Sequence, residues 1–319
     1  MARTQAPVRV AVIGTGMMGP GIALTLALAG HPVMLFGRST DSLARGLAAV
    51  DAGLQQLRDE RLTTARSAQA ARRRIQGSTD LAAAVARAAF VFESVAEELD
   101  LKQQLFGQLE RLAPRAAVFA SNTSGLPITR IAEQMDYPER AATAHFWNPA
   151  HLMPLVELVK GERTSDSTLE KLSQVLTAAG KRTVTVRKDV PGQLGNRLQH
   201  ALFREAFHII QEGVASIEDV DVAVKFGPGL RFPAYGLLEH ADMVGLDMMQ
   251  AIDGYLFPAL SAADAPPNFL LELIARGDLG AKTGHGLYDW TQRNAADVLA
   301  ARDRFIAARL RDARKRMPS

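Results

Sequence analysis

A glycine-rich stretch, VAVIGTGMMGPGIA at residues 10–23, constrains the fold of this chain more than any other feature. An apolar, β-branched run precedes the glycines and a helical pattern follows them, which predicts a strand, a tight turn and a helix. In this setting Gly14 permits the turn, Gly16 lets a pyrophosphate approach the backbone, and Gly19 lets the helix pack on the strand. The helix N-terminus then offers free N–H groups and a positive dipole to phosphates. We therefore predict a dinucleotide site at this turn, formed by Gly14, Gly16, Met17, Met18 and Gly19.

Strand-like and helical segments alternate through the first part of the chain. Short runs rich in β-branched residues occur at residues 8–14, 31–37, 88–94, 116–121, 141–147, 154–159 and 182–188. Helical patterns between them predict an α/β fold with a parallel, doubly wound sheet of the Rossmann type. The strand-like runs stop near residue 188. We predict a dinucleotide-binding domain at 1–188 and an all-helical domain at 189–319, with the substrate in the cleft between them.

Composition excludes several classes of protein. The 319 residues carry a formal net charge of only +3 and include no cysteine. Basic runs at 72–75 and 309–316 are typical of solvated helix faces, so we predict no nucleic-acid partner. No segment approaches the roughly 18 apolar residues of a membrane span. The lack of cysteine excludes thiolate zinc sites and is consistent with a reducing cytoplasm, where we place the protein; no metal ligand is assigned.

The second predicted strand ends in LFGRST, residues 35–40. An NAD-specific site of this type presents a carboxylate to the ribose 2′-hydroxyl at or beside Gly37, and no acidic residue occurs there. Arg38, Ser39 and Thr40 instead offer a cation and hydroxyl groups to a 2′-phosphate. The alternative is an NAD enzyme in which Arg38 stacks on the adenine. We predict NADP(H) as the preferred cofactor, with NAD(H) as the alternative.

Two histidines and a glutamate fall within the stretch HFWNPAHLMPLVE, residues 145–157. A histidine held by a carboxylate is a common proton-transfer device, but a buried histidine with a structural role is an equally ordinary feature. The stretch alone leaves open whether His145 or His151 acts in chemistry.

Five motifs together resemble the 3-hydroxyacyl-CoA dehydrogenase family over residues 8–290. They are SNTSGLPI, HFWNPAHLMPLVELV, KDVPGQLGNRL, EGVASIEDVD and GAKTGHGLYDW. The resemblance implies hydride transfer between a nicotinamide cofactor and a 3-hydroxyacyl or 3-oxoacyl substrate, in a homodimer. It also implies that His145 is the base and that Glu157 orients it and stabilises its charged form. His151 then has a structural or substrate-lining role.

The resemblance assigns four further residues. Ser124 and Asn196 correspond to polar residues around the reacting carbonyl, where donors stabilise negative charge on oxygen. Glu97 and Lys102 correspond to residues that contact the nicotinamide half of the cofactor. Without the resemblance, Ser124 is a candidate helix N-cap, and Glu98 with Lys102 is an ordinary i,i+4 surface pair.

Two more cofactor contacts, Asn148 and Lys282, follow from the resemblance, although a loop lysine is otherwise solvated. The chain also departs from the family pattern. The lysine that contacts CoA after the second strand has no clear counterpart, and Arg58 and Arg61 occur in that region. Either arginine is a candidate for a 3′-phosphate or a solvated helix residue.

Two alternatives therefore remain for function. Several segments resemble outlying family members that act on small polar acids, such as pyridine-carboxylate, carnitine and sugar-acid dehydrogenases. An alcohol, aldehyde, ketone or imine without CoA is then the substrate. A non-catalytic dinucleotide-binding protein, crystallin-like or regulatory, is the other alternative, and the presence of both His145 and Glu157 argues against it.

Overall fold

A computed structural model describes residues 6–316, with side chains to residue 313; the outermost ends of the two predicted domains lie outside this range. The predicted α/β class is confirmed, because one sheet with flanking helices is followed by a helical region. The strands of the described chain are β1 Val10–Ile13, β2 Val33–Phe36, β3 Ile75–Ser78, β4 Phe90–Glu93, β5 Val118–Ser121, β6 Ala141–Phe146, β7 Leu155–Val159 and β8 Arg182–Val186.

The α-helices are distributed over both regions. Those between and after the strands are α1 Gly19–Leu28, α2 Thr40–Asp59, α3 Ala65–Arg74, α4 Leu81–Val85, α5 Leu99–Leu112, α6 Ile128–Ile131 and α7 Asp166–Ala178. The later ones are α8 Gly195–Gln211, α9 Ile217–Phe226, α10 Pro228–Arg231, α11 Leu237–Val244, α12 Leu246–Leu256, α13 Asn268–Ala275 and α14 Ala295–Arg316. None of the helices within residues 6–316 is long and apolar enough to cross a membrane.

The strands form one sheet in the order β3-β2-β1-β4-β5-β6-β7-β8. The expectation of a wholly parallel sheet is wrong at one end, since β7 pairs antiparallel with β6 and β8 follows the direction of β7. A connection of only eight residues, 147–154, joins β6 to β7. A parallel crossover needs about a dozen residues or more, so a connection this short favours reversal. Strand β3 is absent from the predicted strands, because its sequence IQGS lacks an apolar pattern.

Both faces of the sheet are covered. In β1, Val10 and Val12 pack into a core with α1, α2, α3 and α7, whereas Ala11 and Ile13 pack into a second core with α5 and α6. This alternation follows from the two-residue period of a strand. Because both faces are buried, β1 is apolar throughout, and β4 and β5 are apolar except for their last residues, Glu93 and Ser121.

The chain divides into two compact units. One runs to Asn196 and includes the described residues from Ala300 onward, and the other is Arg197–Leu299. The predicted second domain, 189–319, differs from this division at its C-terminal end. The cause is apolar packing: Ala307 is fully buried in the core beside α1 and α2, with Ile306 and Leu310 packed against it.

Candidate active site

The glycine turn between β1 and α1 has the geometry that the sequence predicts. Gly14 has φ +115°, and a Cβ there would lie 2.3 Å from a backbone oxygen just after β4. A Cβ at Gly19 would lie 2.0 Å from the Gly14 oxygen, so both positions exclude side chains. A Cβ at Gly16 would meet nothing within 4 Å. The space above Gly16 is therefore open, which fits a ligand close to the backbone, and Met17 and Met18 lie beside it, exposed and half-buried respectively.

Arg38, Ser39 and Thr40 are all exposed at the carboxyl end of β2. Within the described residues no ion pair involves Arg38, so its guanidinium is available. Ser39 has a structural task, because it caps α2 and its hydroxyl accepts a hydrogen bond from the Ser42 N–H at 3.2 Å. Arg38 and the N-terminus of α2 thus lie at this edge of the sheet, and the nearest acidic residue along the chain is Asp41, in the first turn of α2.

His145 and Glu157 are direct partners across the antiparallel pair β6 and β7. Residues opposite each other on such a pair point to the same face with their Cβ atoms about 5 Å apart. The side chains meet: His145 Nδ1 lies 2.8 Å from Glu157 Oε2, and both residues are buried. The antiparallel direction of β7 therefore brings Glu157 to His145, whereas the motif alone did not say which histidine meets a carboxylate.

The Glu157 carboxylate is 0% exposed and accepts four hydrogen bonds. Besides the His145 ring, the Trp147 indole N–H donates to Oε2 at 3.0 Å, and the backbone N–H groups of Leu194 and Gly195 donate to Oε1 at 3.0 and 2.8 Å. Burial alone raises the pKa of Glu157, but these hydrogen bonds outweigh it and lower the pKa to about 2. Glu157 is therefore ionised at neutral pH.

The loop that carries Ser124 is clamped from two sides. The Glu97 carboxylate accepts from the Ser124 and Gly125 N–H groups at 3.0 and 3.2 Å, and from the Thr123 hydroxyl. Burial opposes ionisation of Glu97, yet these bonds and the charge of Lys102 hold its pKa below the usual value. The structure thus brings Glu97 and Ser124 together.

Amide side chains hold the same loop from the opposite side. The Asn196 Nδ2 donates to the Ser124 carbonyl at 3.2 Å, and the Gln193 Nε2 donates to the Thr123 carbonyl at 3.0 Å. Ser124 itself is exposed and is not a helix cap, since the N-cap residue of α6 is Pro127. The exposed hydroxyl and the second Asn196 N–H are thus available to a ligand oxygen.

A buried ion pair lies under this loop. Lys102 is 1% exposed, and its Nζ donates to Glu93 Oε1 at 2.6 Å and lies 3.4 Å from Glu97 Oε2. The Ser121 hydroxyl donates to the other Glu93 oxygen at 2.6 Å. The side chain that the family pattern assigns to the cofactor is therefore buried, and its contacts are with two carboxylates rather than with Glu98.

Sequence reasoning missed three groups of this site, two of which have a weak signal in the sequence. Trp147 lies two residues after His145, which is the spacing of one strand face. Glu93 is an acidic residue at the end of the apolar strand FVFE, where β4 meets the carboxyl edge of the sheet. Gln193 gives no sequence signal of its contact with Thr123.

The remaining predicted residues lie at different places. Asn148 is exposed on the loop between β6 and β7. His151, on the same loop, is mostly buried and hydrogen-bonded to Gln56, so it has no part in the pair at Glu157. Lys282 is exposed on a turn of the second unit.

A glycine turn suited to a dinucleotide, on the same sheet as a buried histidine–carboxylate pair, is typical of nicotinamide-dependent dehydrogenases. The chain belongs to the 3-hydroxyacyl-CoA dehydrogenase family. The model of its NAD binding domain matches residues 9–190, and that of its C-terminal domain matches residues 192–290. The predictions of this family and of an oxidoreductase acting on CH–OH groups are confirmed.

Relatives include proteins with and without CoA in their names. The chain is 31% identical to 5-formyl-3-hydroxy-2-methylpyridine 4-carboxylate 5-dehydrogenase of Mesorhizobium japonicum, over 94% of this chain and 96% of that protein. It is 37% identical to human mitochondrial hydroxyacyl-coenzyme A dehydrogenase, over 88% and 90%. A crystal structure of a 5-dehydrogenase for the same pyridine acid, described as an NAD+ dependent dismutase, has a TM-score of 0.89 at 29% identity, over 98% of this chain and all of that one.

Proposed function

We propose that this protein transfers a hydride between a nicotinamide cofactor and a carbonyl carbon, with His145 and Glu157 as the acid/base pair. The observation that carries the proposal is the fully buried Glu157 carboxylate with His145 Nδ1 at 2.8 Å. A non-catalytic binding protein has no need for a base oriented in this way. The bound nicotinamide supplies or accepts the hydride.

The protein's own residues handle the proton and the oxygen. Because Glu157 is ionised, it accepts a hydrogen bond from His145 Nδ1–H, which leaves Nε2 as the nitrogen that takes a proton from a substrate hydroxyl. The negative carboxylate stabilises the imidazolium that forms. The Ser124 hydroxyl and the free Asn196 N–H hold the substrate oxygen, and the clamp at Glu97 fixes the loop from which Ser124 acts.

For the cofactor, we propose that NADP(H) is preferred to NAD(H). The family domain that matches is NAD-binding, but the exposed Arg38 lies where a carboxylate would select the unphosphorylated ribose. A charge-assisted hydrogen bond contributes about 1.5–3 kcal/mol. Arg38→Leu is therefore expected to raise the KM for NADPH by roughly 10- to 100-fold and to leave the KM for NADH nearly unchanged. Equal effects on both would contradict the proposal.

For the substrate, family membership supports a 3-hydroxyacyl or 3-oxoacyl thioester. A small polar acid without CoA is the second candidate, and one observation favours it. The similarity to the pyridine-carboxylate dehydrogenase structure extends over 98% of the chain and includes most of α14, whereas the family models end at residue 290.

The test follows oxidation of NADPH and of NADH by absorbance, first with acetoacetyl-CoA and then with small oxo acids and aromatic aldehyde acids. Turnover of acetoacetyl-CoA supports the thioester. Turnover of the small acids alone supports the second candidate. Binding of a dinucleotide without turnover of any carbonyl would contradict the proposed dehydrogenase activity.

We also propose a homodimer formed through the helical unit, in the cytoplasm. Helices α9–α13, all of whose residues are described, contain no buried residue. Large apolar side chains are instead exposed there, among them Leu238 at 81%, Met243 at 75% and Phe226 at 73%. Exposed apolar surface of this extent is typical of an interface. Light scattering that gives the monomer mass would contradict the dimer; the absence of cysteine supports the compartment.

A further inference from the structure

The loop between β6 and β7, residues 147–154, is anchored to the protein through its buried middle. The Lys181 ammonium donates to the carbonyls of Ala150 and Met153 at 2.5 and 2.8 Å. The loop also packs directly on α1, because a Cβ at Gly21 would lie 3.0 Å from the Ala150 Cβ. The exposed Asn148 thus lies only two residues before the anchored Ala150.

The His151 side chain links this loop to the C-terminal helix through hydrogen bonds. Burial, helped by the charge of Lys181 and opposed by that of Asp303, lowers the pKa of His151 to about 4. The ring is therefore neutral at physiological pH and carries a single N–H. Its Nε2 lies 2.7 Å from Gln56 Oε1, on α2.

Asp303, on α14, fixes the orientation of this chain of hydrogen bonds. The Gln56 Nε2 donates to Asp303 Oδ2 at 2.8 Å, and an ionised carboxylate can only accept. The Gln56 amide must therefore turn its oxygen toward His151, and the His151 proton must lie on Nε2. The Asp303 carboxylate thus determines the orientation of the Gln56 amide, and the Gln56 amide in turn determines the tautomer of His151.

The helix that carries Asp303 is firmly docked. Arg311 donates to the Glu60 carbonyl at 2.5 Å and lies 3.0 Å from its carboxylate, and the fully buried Ala307 packs in the core. This helix lies beyond residue 290, where the family models end. It therefore lies outside the segments that match the family models, and from Ala300 onward it is part of the first unit.

We propose that Asp303 is a positioning residue for the cofactor site: through Gln56 and His151 it holds the loop that presents Asn148. The proposal rests on the proposed function and on the family resemblance, which implies that Asn148 contacts the dinucleotide. It gives α14 a role in binding, because the acceptor at Asp303 acts on Asn148 indirectly, through Gln56 and His151.

The test compares Asp303→Leu, which removes the acceptor, with Asp303→Asn, which keeps a carbonyl oxygen for Gln56. Asp312→Leu, at an exposed position of the same helix, is the matched control. Binding of NADPH and NADH is measured by the fluorescence of the reduced nicotinamide, well below the melting temperature of each variant. Gln56→Met breaks the same chain of bonds and serves if Asp303→Leu does not fold.

Loss of one hydrogen bond at the cofactor predicts a Kd about 3- to 10-fold higher for Asp303→Leu, with kcat nearly unchanged. Asp303→Asn and Asp312→Leu should bind like the parent. A lower melting temperature for Asp303→Leu with the parent's Kd would overturn the proposal, as would equal losses in the Leu and Asn variants. If the parent itself binds neither dinucleotide, the proposed function fails first, and this inference fails with it.

Discussion

Glu157→Gln is the substitution whose effects the structure predicts in most detail. The glutamine oxygen can replace Oε1, which accepts from the Leu194 and Gly195 N–H groups. Its NH2 group then faces the Trp147 N–H, where two donors meet, and donates to His145 Nδ1. This forces the His145 proton onto Nε2, the nitrogen that must accept the substrate proton. Turnover should fall by roughly 10²- to 10⁴-fold, the usual contribution of a general base.

The same substitution has a calculable effect on stability. The pKa of Glu157 falls from 4.5 to about 2 on folding, which corresponds to about 3 kcal/mol of stabilisation by the ionised carboxylate. Because the folded pKa is the lower one, this stabilisation is complete above about pH 5 and is lost as the pH falls toward 2. Glu157→Gln should therefore lower the free energy of unfolding by about 3 kcal/mol at pH 7 and by little near pH 2.

Urea unfolding at both pH values, with steady-state turnover at pH 7, measures these quantities. The matched control is Glu110→Gln on α5, which removes a largely buried carboxylate that accepts from Arg140 and from two backbone N–H groups of the segment before β6. It should lose stability and keep turnover. A Glu157→Gln enzyme with the parent's turnover would refute the tautomer argument, and one with the parent's stability at pH 7 would refute the role of the four hydrogen bonds.

Three further substitutions test the architecture around the site. Gly16→Val should leave the melting temperature unchanged, since a Cβ there meets nothing within 4 Å, but should abolish dinucleotide binding in a titration; unchanged affinity would place the cofactor elsewhere. Gly14→Ala should instead destabilise the protein in thermal unfolding by about 1–3 kcal/mol, because its φ is +115° and a Cβ would strike backbone. Lys102→Met should cost about 3–5 kcal/mol in urea unfolding, since it leaves the Glu93 carboxylate buried without its counter-ion; a small loss would mean that the Ser121 hydroxyl and the Val95 N–H suffice to hold Glu93.

The sequence predicts the regular part of this fold well and its exceptions poorly. Apolar runs such as β1 and β4 are buried on both faces, so their pattern is strong and local. The strand β3 is at the sheet edge and has the polar sequence IQGS, so pairing with β2 rather than composition makes it a strand. The direction of β7 depends on the length of the short loop before it, whereas the strand prediction rests on the β-branched runs alone.

The candidate site likewise has features that the sequence predicts and features that it does not. The glycine turn has a local geometry, so the motif predicts it. The pairing of His145 with Glu157 needs the register of two strands, and the motif supplied only the residues until the family resemblance chose between the histidines. Lys102 is the clearest failure of local reasoning, because an i,i+4 spacing to Glu98 says nothing about burial, and the actual partner, Glu93, comes from the end of a strand.

In the proposed mechanism, His145 is oriented by Glu157 and moves the proton during hydride transfer. The most direct test is turnover of His145→Gln with whichever carbonyl the parent reduces, beside a titration of the same variant with the dinucleotide. If His145 is the general base, turnover is lower by roughly 10²- to 10⁴-fold and the dinucleotide affinity is unchanged. Turnover equal to that of the parent would contradict this mechanism.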